Sequence, residues 1–176
     1  MSKWIVLIGL IAITFFEQEE QLAWSENKLT WADFKGDPDY STDAAATTSS
    51  GISYKLSATL KNDELDVDCK VVCYFFPQNS WYKPNKVNTV VLAHEQLHFD
   101  ITELHARKFR KLLEEREFTK DVKKEIREIY TAINRDVKRM QRNYDAESDF
   151  SRNLEKQKEW GLFIQNELLK FKTYRQ

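Results

Sequence analysis

The residues best suited to chemistry lie in Leu92-Ala93-His94-Glu95-Gln96-Leu97-His98-Phe99-Asp100, which has the form H-E-x-x-H. On a helix each residue advances about 100°, so His94 and His98 share one face, a turn apart. Two imidazoles at that spacing can hold one zinc ion in common. Glu95, next to the metal, is then placed to take a proton from a bound water. The plainer reading is that the histidines decorate an amphipathic helix. All three histidines of the chain, His94, His98 and His105, fall in this one stretch.

A helix must carry the motif, and the pattern supplies one. Residues 88–92 lead in with a mostly apolar run, and neither proline nor glycine follows before Glu117. Leu97, Ile101, Leu104, Ala106 and Phe109 recur at near-helical spacing. Phe118-Thr119-Lys120 is the expected break, with Thr119 as N-cap of a second helix. That helix has an apolar stripe: Val122, Ile126, Ile129, Ile133, Val137, Met140, Tyr144. A third helix carries Leu154, Trp160, Leu162 or Phe163, Leu168 and Phe171.

A short break at Thr119 folds the first two helices into an antiparallel pair. Counting equal lengths from the break sets His98 level with residue 140 and His94 level with residue 144. The end of the second helix therefore arrives where a third metal ligand is wanted. Asp145 and Glu147 are the candidates there, with Glu147 slightly ahead. The plainer reading has both capping or solvating a helix end. Tyr144 is a candidate donor to an oxyanion, though a tyrosine on an apolar stripe is more often core. Glu103 lies roughly 140° around the helix from His98 and is expected to pair with Arg107 instead. His105 is on the right face but about 10 Å too far along. A metzincin extension is absent, because Ile101 and Leu104 stand at its positions.

Upstream, Gly51 to Leu60 alternates with period two, as does Leu65 to Phe76, which predicts an antiparallel hairpin with a turn at 61–64. One of its strands could offer an edge to an extended peptide. Lys28 to Phe34 also alternates and reads as a strand or its approach. Ser41 to Ser50 reads as a loop or weak strand. Cys69 and Cys73 lie about 13 Å apart in a flat strand, too far for a disulfide unless the segment bends. Two cysteines also exclude a four-thiolate zinc site.

The N-terminus is a separate feature. Lys3 precedes the apolar run Trp4 to Phe16, which reads as a secretory signal, or an uncleaved anchor, over residues 1–22. The run is shorter than the roughly 20 residues of a spanning helix. Residues 23–176 then form one domain, exported to the periplasm or secreted, with no membrane span in the mature chain unless the segment is retained. Net charge is −1, with 27 Lys and Arg interleaved among 28 Asp and Glu, so nothing points to nucleic acid.

The order of these features resembles a bacterial domain-of-unknown-function family described as predicted secreted zinc-dependent proteases. The resemblance rests on Leu29-Thr30-Trp31 with Asp33-Phe34, on Ala44 to Thr47 with Ser49 to Ile52, and on Ser80-Trp81. It rests equally on His94-Glu95-Gln96 with His98-Phe99-Asp100-Ile101, and on Tyr144-Asp145 with Ser148, Asn153, Gln157 and Trp160. It implies a peptide or protein substrate. It also implies a histidine after the Tyr-Asp pair that completes a metal site, and the matching position here is Phe150.

The expected fold is α+β and zincin-like. A small antiparallel β-sheet in the N-terminal half packs on a bundle of two to three long α-helices. The expected function is zinc-dependent peptide hydrolysis, with Glu95 as base. The alternative is a catalytically degenerate envelope protein acting as a binding module.

Overall fold

The computed structural model describes residues 20–62 and 64–176. The apolar run Trp4 to Phe16 lies outside the described residues. In chain order the strands are β1 (Leu22–Ala23), β2 (Ala46–Thr47), β3 (Ser50–Lys61), β4 (Glu64–Phe75) and β5 (Trp81–Tyr82). The helices are α1 (Thr89–Glu114), α2 (Val122–Ser148) and α3 (Leu154–Lys170). The fold is α+β. One antiparallel sheet has the order β1-β4-β3, and β2 pairs separately with β5.

The hairpin forms as its alternation predicts. Ile52, Tyr54 and Leu56 lie opposite Cys73, Val71 and Cys69, and this face turns toward the helices. Ser57, Thr59 and Lys61 lie opposite Asp68, Asp66 and Glu64 on the other face. Both cysteines are free, as expected for one strand. The alternation at Lys28 to Phe34 does not make a strand. Asp33 Oδ2 accepts from the Thr30 N–H at 2.7 Å and from its hydroxyl at 2.9 Å, and this local closure winds Trp31–Asp33 into a 3-10 turn.

The hub is α1. Asn88 caps it, its side chain accepting from the N–H groups of Val90 and Val91. From His94 to Arg107 almost every residue is buried, because the sheet, α2 and α3 together surround it. Most of its buried polar residues accordingly find partners. Glu103, 2% exposed, accepts from Arg107 Nε at 2.8 Å and Arg110 Nη1 at 3.1 Å. Arg107 also donates to the Leu168 carbonyl, and Arg110 to the carbonyls of Val71 and Tyr174. The expected Glu103–Arg107 pair is thus the centre of a network joining α1 to β4 and the C-terminus.

The antiparallel geometry of α1 and α2 holds. Phe109 meets Tyr130 at 6.0 Å, Gln141 Nε2 donates to the His98 carbonyl, and His94 meets Asp145. Each pair lies symmetrically about Thr119 and Lys120. Asp121, not Thr119, is the N-cap of α2. Thr119 instead accepts from the Asp121 N–H and donates to Glu125. Two apolar clusters result. The larger lies between the hairpin, α1 and α2. The smaller, of Leu97, Ile101, Leu104, Tyr144 and Ile164, lies among the three helices. Among the described residues, no helix is long and apolar enough to cross a membrane.

Candidate metal centre

His94 and His98 face the last turn of α2. His94 Nε2 and His98 Nε2 are 3.2 Å apart, and Asp145 Oδ1 lies 3.1 Å from the first and 2.9 Å from the second. The three residues form a possible metal-binding group. The donor set suits a metal. Zn–N and Zn–O bonds of about 2.0–2.1 Å in a tetrahedron put donors roughly 3.3 Å apart, close to the spacing present. Two imidazoles and one carboxylate also leave a coordination position open, as in catalytic sites.

Electrostatics favour the charged carboxylate. Burial pushes the Asp145 carboxyl up, but hydrogen bonds from His94 and His98 outweigh it and hold the pKa at about 2. Glu147 does not join the group. Two residues on from Asp145, it is turned about 200° around α2. There its carboxylate accepts from Trp160 Nε1 at 2.9 Å.

Tyr144 is fully buried beneath the imidazoles. Its ring stacks on His94 at 4.5 Å and 25° and meets His98 edge-on at 5.3 Å. Among the described residues its hydroxyl has no hydrogen-bond partner, and burial, then the charges of Glu95 and Asp145, push its pKa up. Tyr144 does not line the adjoining cavity, though its hydroxyl lies near enough to Glu95 and Asp145 to feel their charges. Its ring forms an apolar floor against the two imidazoles.

Glu95 lines that cavity, which has a volume of about 1050 Å³. Among the described residues its carboxylate accepts no hydrogen bond and makes no ion pair. The main chain of Glu95 is tied down by Thr48, whose hydroxyl donates to its carbonyl at 3.2 Å. Glu95 is anchored by its main chain, and its carboxylate is free of partners among the described residues.

Across the cavity from the helix run Ala44 to Thr48. The Lys83 N–H donates to the Ala45 carbonyl at 2.8 Å, which turns Ala45 toward β5. By strand alternation the N–H and C=O of Ala46 point to the unpaired side. The strand edge beside the motif is thus β2. The hairpin strands, expected to offer it, contribute nothing to the cavity wall.

Sequence reasoning missed the supports behind the motif. Gln96 Oε1 accepts from the Leu29 N–H at 2.7 Å, and Gln96 Nε2 donates to Asp100 Oδ1 at 2.9 Å. Asp100 also accepts from Trp24 Nε1 at 2.8 Å and Lys28 Nζ at 3.0 Å. The N-terminal segment is therefore strapped across the back of α1, roughly opposite the two histidines. Polar Gln96 and Asp100 at i,i+4 were the only local signal.

No curated protein and no solved structure matches the chain. A family match does, over residues 17–151, and it takes in the hairpin, α1, α2 and all three donors of the group. On that match the chain belongs to the family described as bacterial protein of unknown function, DUF922.

Proposed function

We propose that the protein is a zinc-dependent hydrolase of peptide bonds, zincin-like in its use of one helix for two metal ligands and a base. The observation that carries this reading is the convergence of His94, His98 and Asp145 beside the free carboxylate of Glu95. His94 Nε2, His98 Nε2 and Asp145 would hold the ion. Zinc bound there supplies a Lewis acid that polarises the scissile carbonyl and acidifies the attacking water. Glu95 takes the proton of that water and passes it to the departing amine. The unpaired edge of β2 supports a peptide as substrate, because an extended chain can add to it by main-chain hydrogen bonds.

Two histidines and one carboxylate also suit ferrous iron. The free Glu95 favours hydrolysis, since a base beside the site serves water activation. Export belongs to the same reading and rests on Lys3 and the apolar run that follows it. The second reading, a degenerate envelope protein acting as a binding module, is favoured by Phe150, an exposed aromatic at the cavity.

The test compares wild type with Glu95→Gln. Zinc-loaded wild type is expected to cleave a denatured protein substrate. Glu95→Gln is expected to keep its zinc and lose at least about 10²-fold in kcat. Full activity in that variant, or iron as the only metal recovered, would overturn the proposal.

A further inference from the structure

The turn after α2 is held in an uncommon conformation. Asp149, Phe150 and Ser151 have φ of 49°, 50° and 74°, and none is glycine. One left-handed residue is an ordinary helix C-cap. Three in succession, one of them bulky, are not, because Cβ crowds the following carbonyl in each. The turn is nonetheless well closed. The Phe150 N–H donates to the Asp145 carbonyl at 3.0 Å, and the Asn153 N–H to that of Ser148 at 2.8 Å.

This backbone sets the Phe150 ring at the cavity, 61% exposed, so apolar burial does not account for it. Arg152 lies 5.9 Å from the ring centroid and is itself held by Asp149, which leaves the ring steadied and the local charge balanced. Val90, Val91 and Leu154 line the same cavity, and Leu154 is 60% exposed. Gln157 Nε2 donates to the Val90 carbonyl at 3.0 Å, which locks the first turn of α3 beside the first turn of α1. The large apolar side chains of the cavity, Val90, Val91, Phe150 and Leu154, thus all lie on its helical flank, among polar Asn88, Gln141 and Arg152, whereas the β2 flank carries alanines, threonines and Asp43.

We infer that Phe150 is the specificity-determining residue of this site. With Val90, Val91 and Leu154 it receives an aromatic or large aliphatic substrate side chain next to the scissile bond. The inference rests on the zinc peptidase reading and names its substrate class. The β2 wall takes the extended main chain, and the Phe150 flank selects the side chain.

The test uses two hydroxamates, of phenylalanine and of glycine, which share a metal-chelating head and differ by a benzyl group. Each is titrated by calorimetry into zinc-loaded wild type, Phe150→Tyr and Phe150→Gly, with zinc content checked afterwards. Glycine adopts φ near 50° without strain, so Phe150→Gly should melt no lower than wild type. Wild type and Phe150→Tyr are expected to prefer the benzyl compound by roughly tenfold, the scale of one aromatic pair. In Phe150→Gly the ratio should fall to about two or less. Equal affinities in wild type, or a preference that survives in Phe150→Gly, would overturn the inference and leave the zinc site standing. If zinc is retained and neither compound binds, the peptidase reading fails, and the inference with it.

Discussion

At the residue scale, the group of three donors separates side chains that look alike in the sequence. Asp145 and Glu147 were both acceptable third ligands. What divides them is the rotation of α2, set by burial of Tyr144 among Leu97, Ile101 and Ile164. Asp145 then flanks α1, whereas Glu147 flanks α3 and meets Trp160. The stripe containing Tyr144 was legible, but not the side of it that α3 would occupy. Tyr144 itself has a buried hydroxyl with no partner among the described residues. Tyr144→Phe is therefore expected to keep zinc and to match or slightly exceed wild type in thermal stability, since it removes an unsatisfied group. Loss of catalysis with zinc retained would assign Tyr144 the oxyanion role.

His105 makes a second residue-scale prediction. It is 3% exposed, and burial pulls its pKa down, against an upward pull from its bond to the Ile101 carbonyl. Lys108 and Arg139 add to the lowering, and Asp136 opposes it. The unfolded imidazole titrates near 6.5. Below that pH the unfolded chain binds the proton more readily, so stability falls as pH drops from about 6.5 toward the lowered folded value. Urea unfolding between pH 7.5 and 5 should show a steeper loss in wild type than in His105→Gln. Parallel curves would show that His105 does not contribute.

At the element scale, α1 is positioned from behind. The motif and its helix could be read from spacing alone, but the strap of Trp24, Lys28 and Leu29 on Gln96 and Asp100 could not, because its partners are about 70 residues away. Local closure by Thr30 and Asp33 also hid a 3-10 turn inside an alternating pattern. Asp100→Ala removes the acceptor of three donors, and Trp24 Nε1 and Gln96 Nε2 lose it in a largely buried place. The expected cost is about 2–3 kcal/mol in chemical denaturation. A change under about 0.5 kcal/mol would mean that the strap does not hold the helix.

The turn after α2 gives the opposite sign. Phe150→Gly gives up an exposed ring and relieves one left-handed residue, so it should gain roughly 1 kcal/mol. A clear loss would show that the ring packs against something in the folded protein.

At the scale of the whole molecule, one network joins the parts that the sequence kept separate. Glu103, Arg107 and Arg110 tie α1 to β4, to α3 and to the C-terminal turn at Tyr174. The α+β class and the hairpin followed from periodicity, and the level of the third donor followed from counting residues about a short break. The closing of the C-terminus over α1 did not, because it depends on which carbonyls the two arginines reach. Glu103→Ala would leave Arg107 buried without its counter-charge, an expected cost of about 3–5 kcal/mol. In a domain of this size that is a fall of about 10 °C in Tm by calorimetry.

His94, His98 and Asp145 are proposed to hold one metal ion. The most direct measurement is the zinc content, at neutral pH with zinc supplied, of the chain from Glu17 onward beside the Asp145→Ala and Glu147→Ala variants. About one zinc per chain is expected in wild type and in Glu147→Ala, and a loss in Asp145→Ala. Zinc retained by Asp145→Ala, or absent from wild type, would rule out this three-residue metal centre.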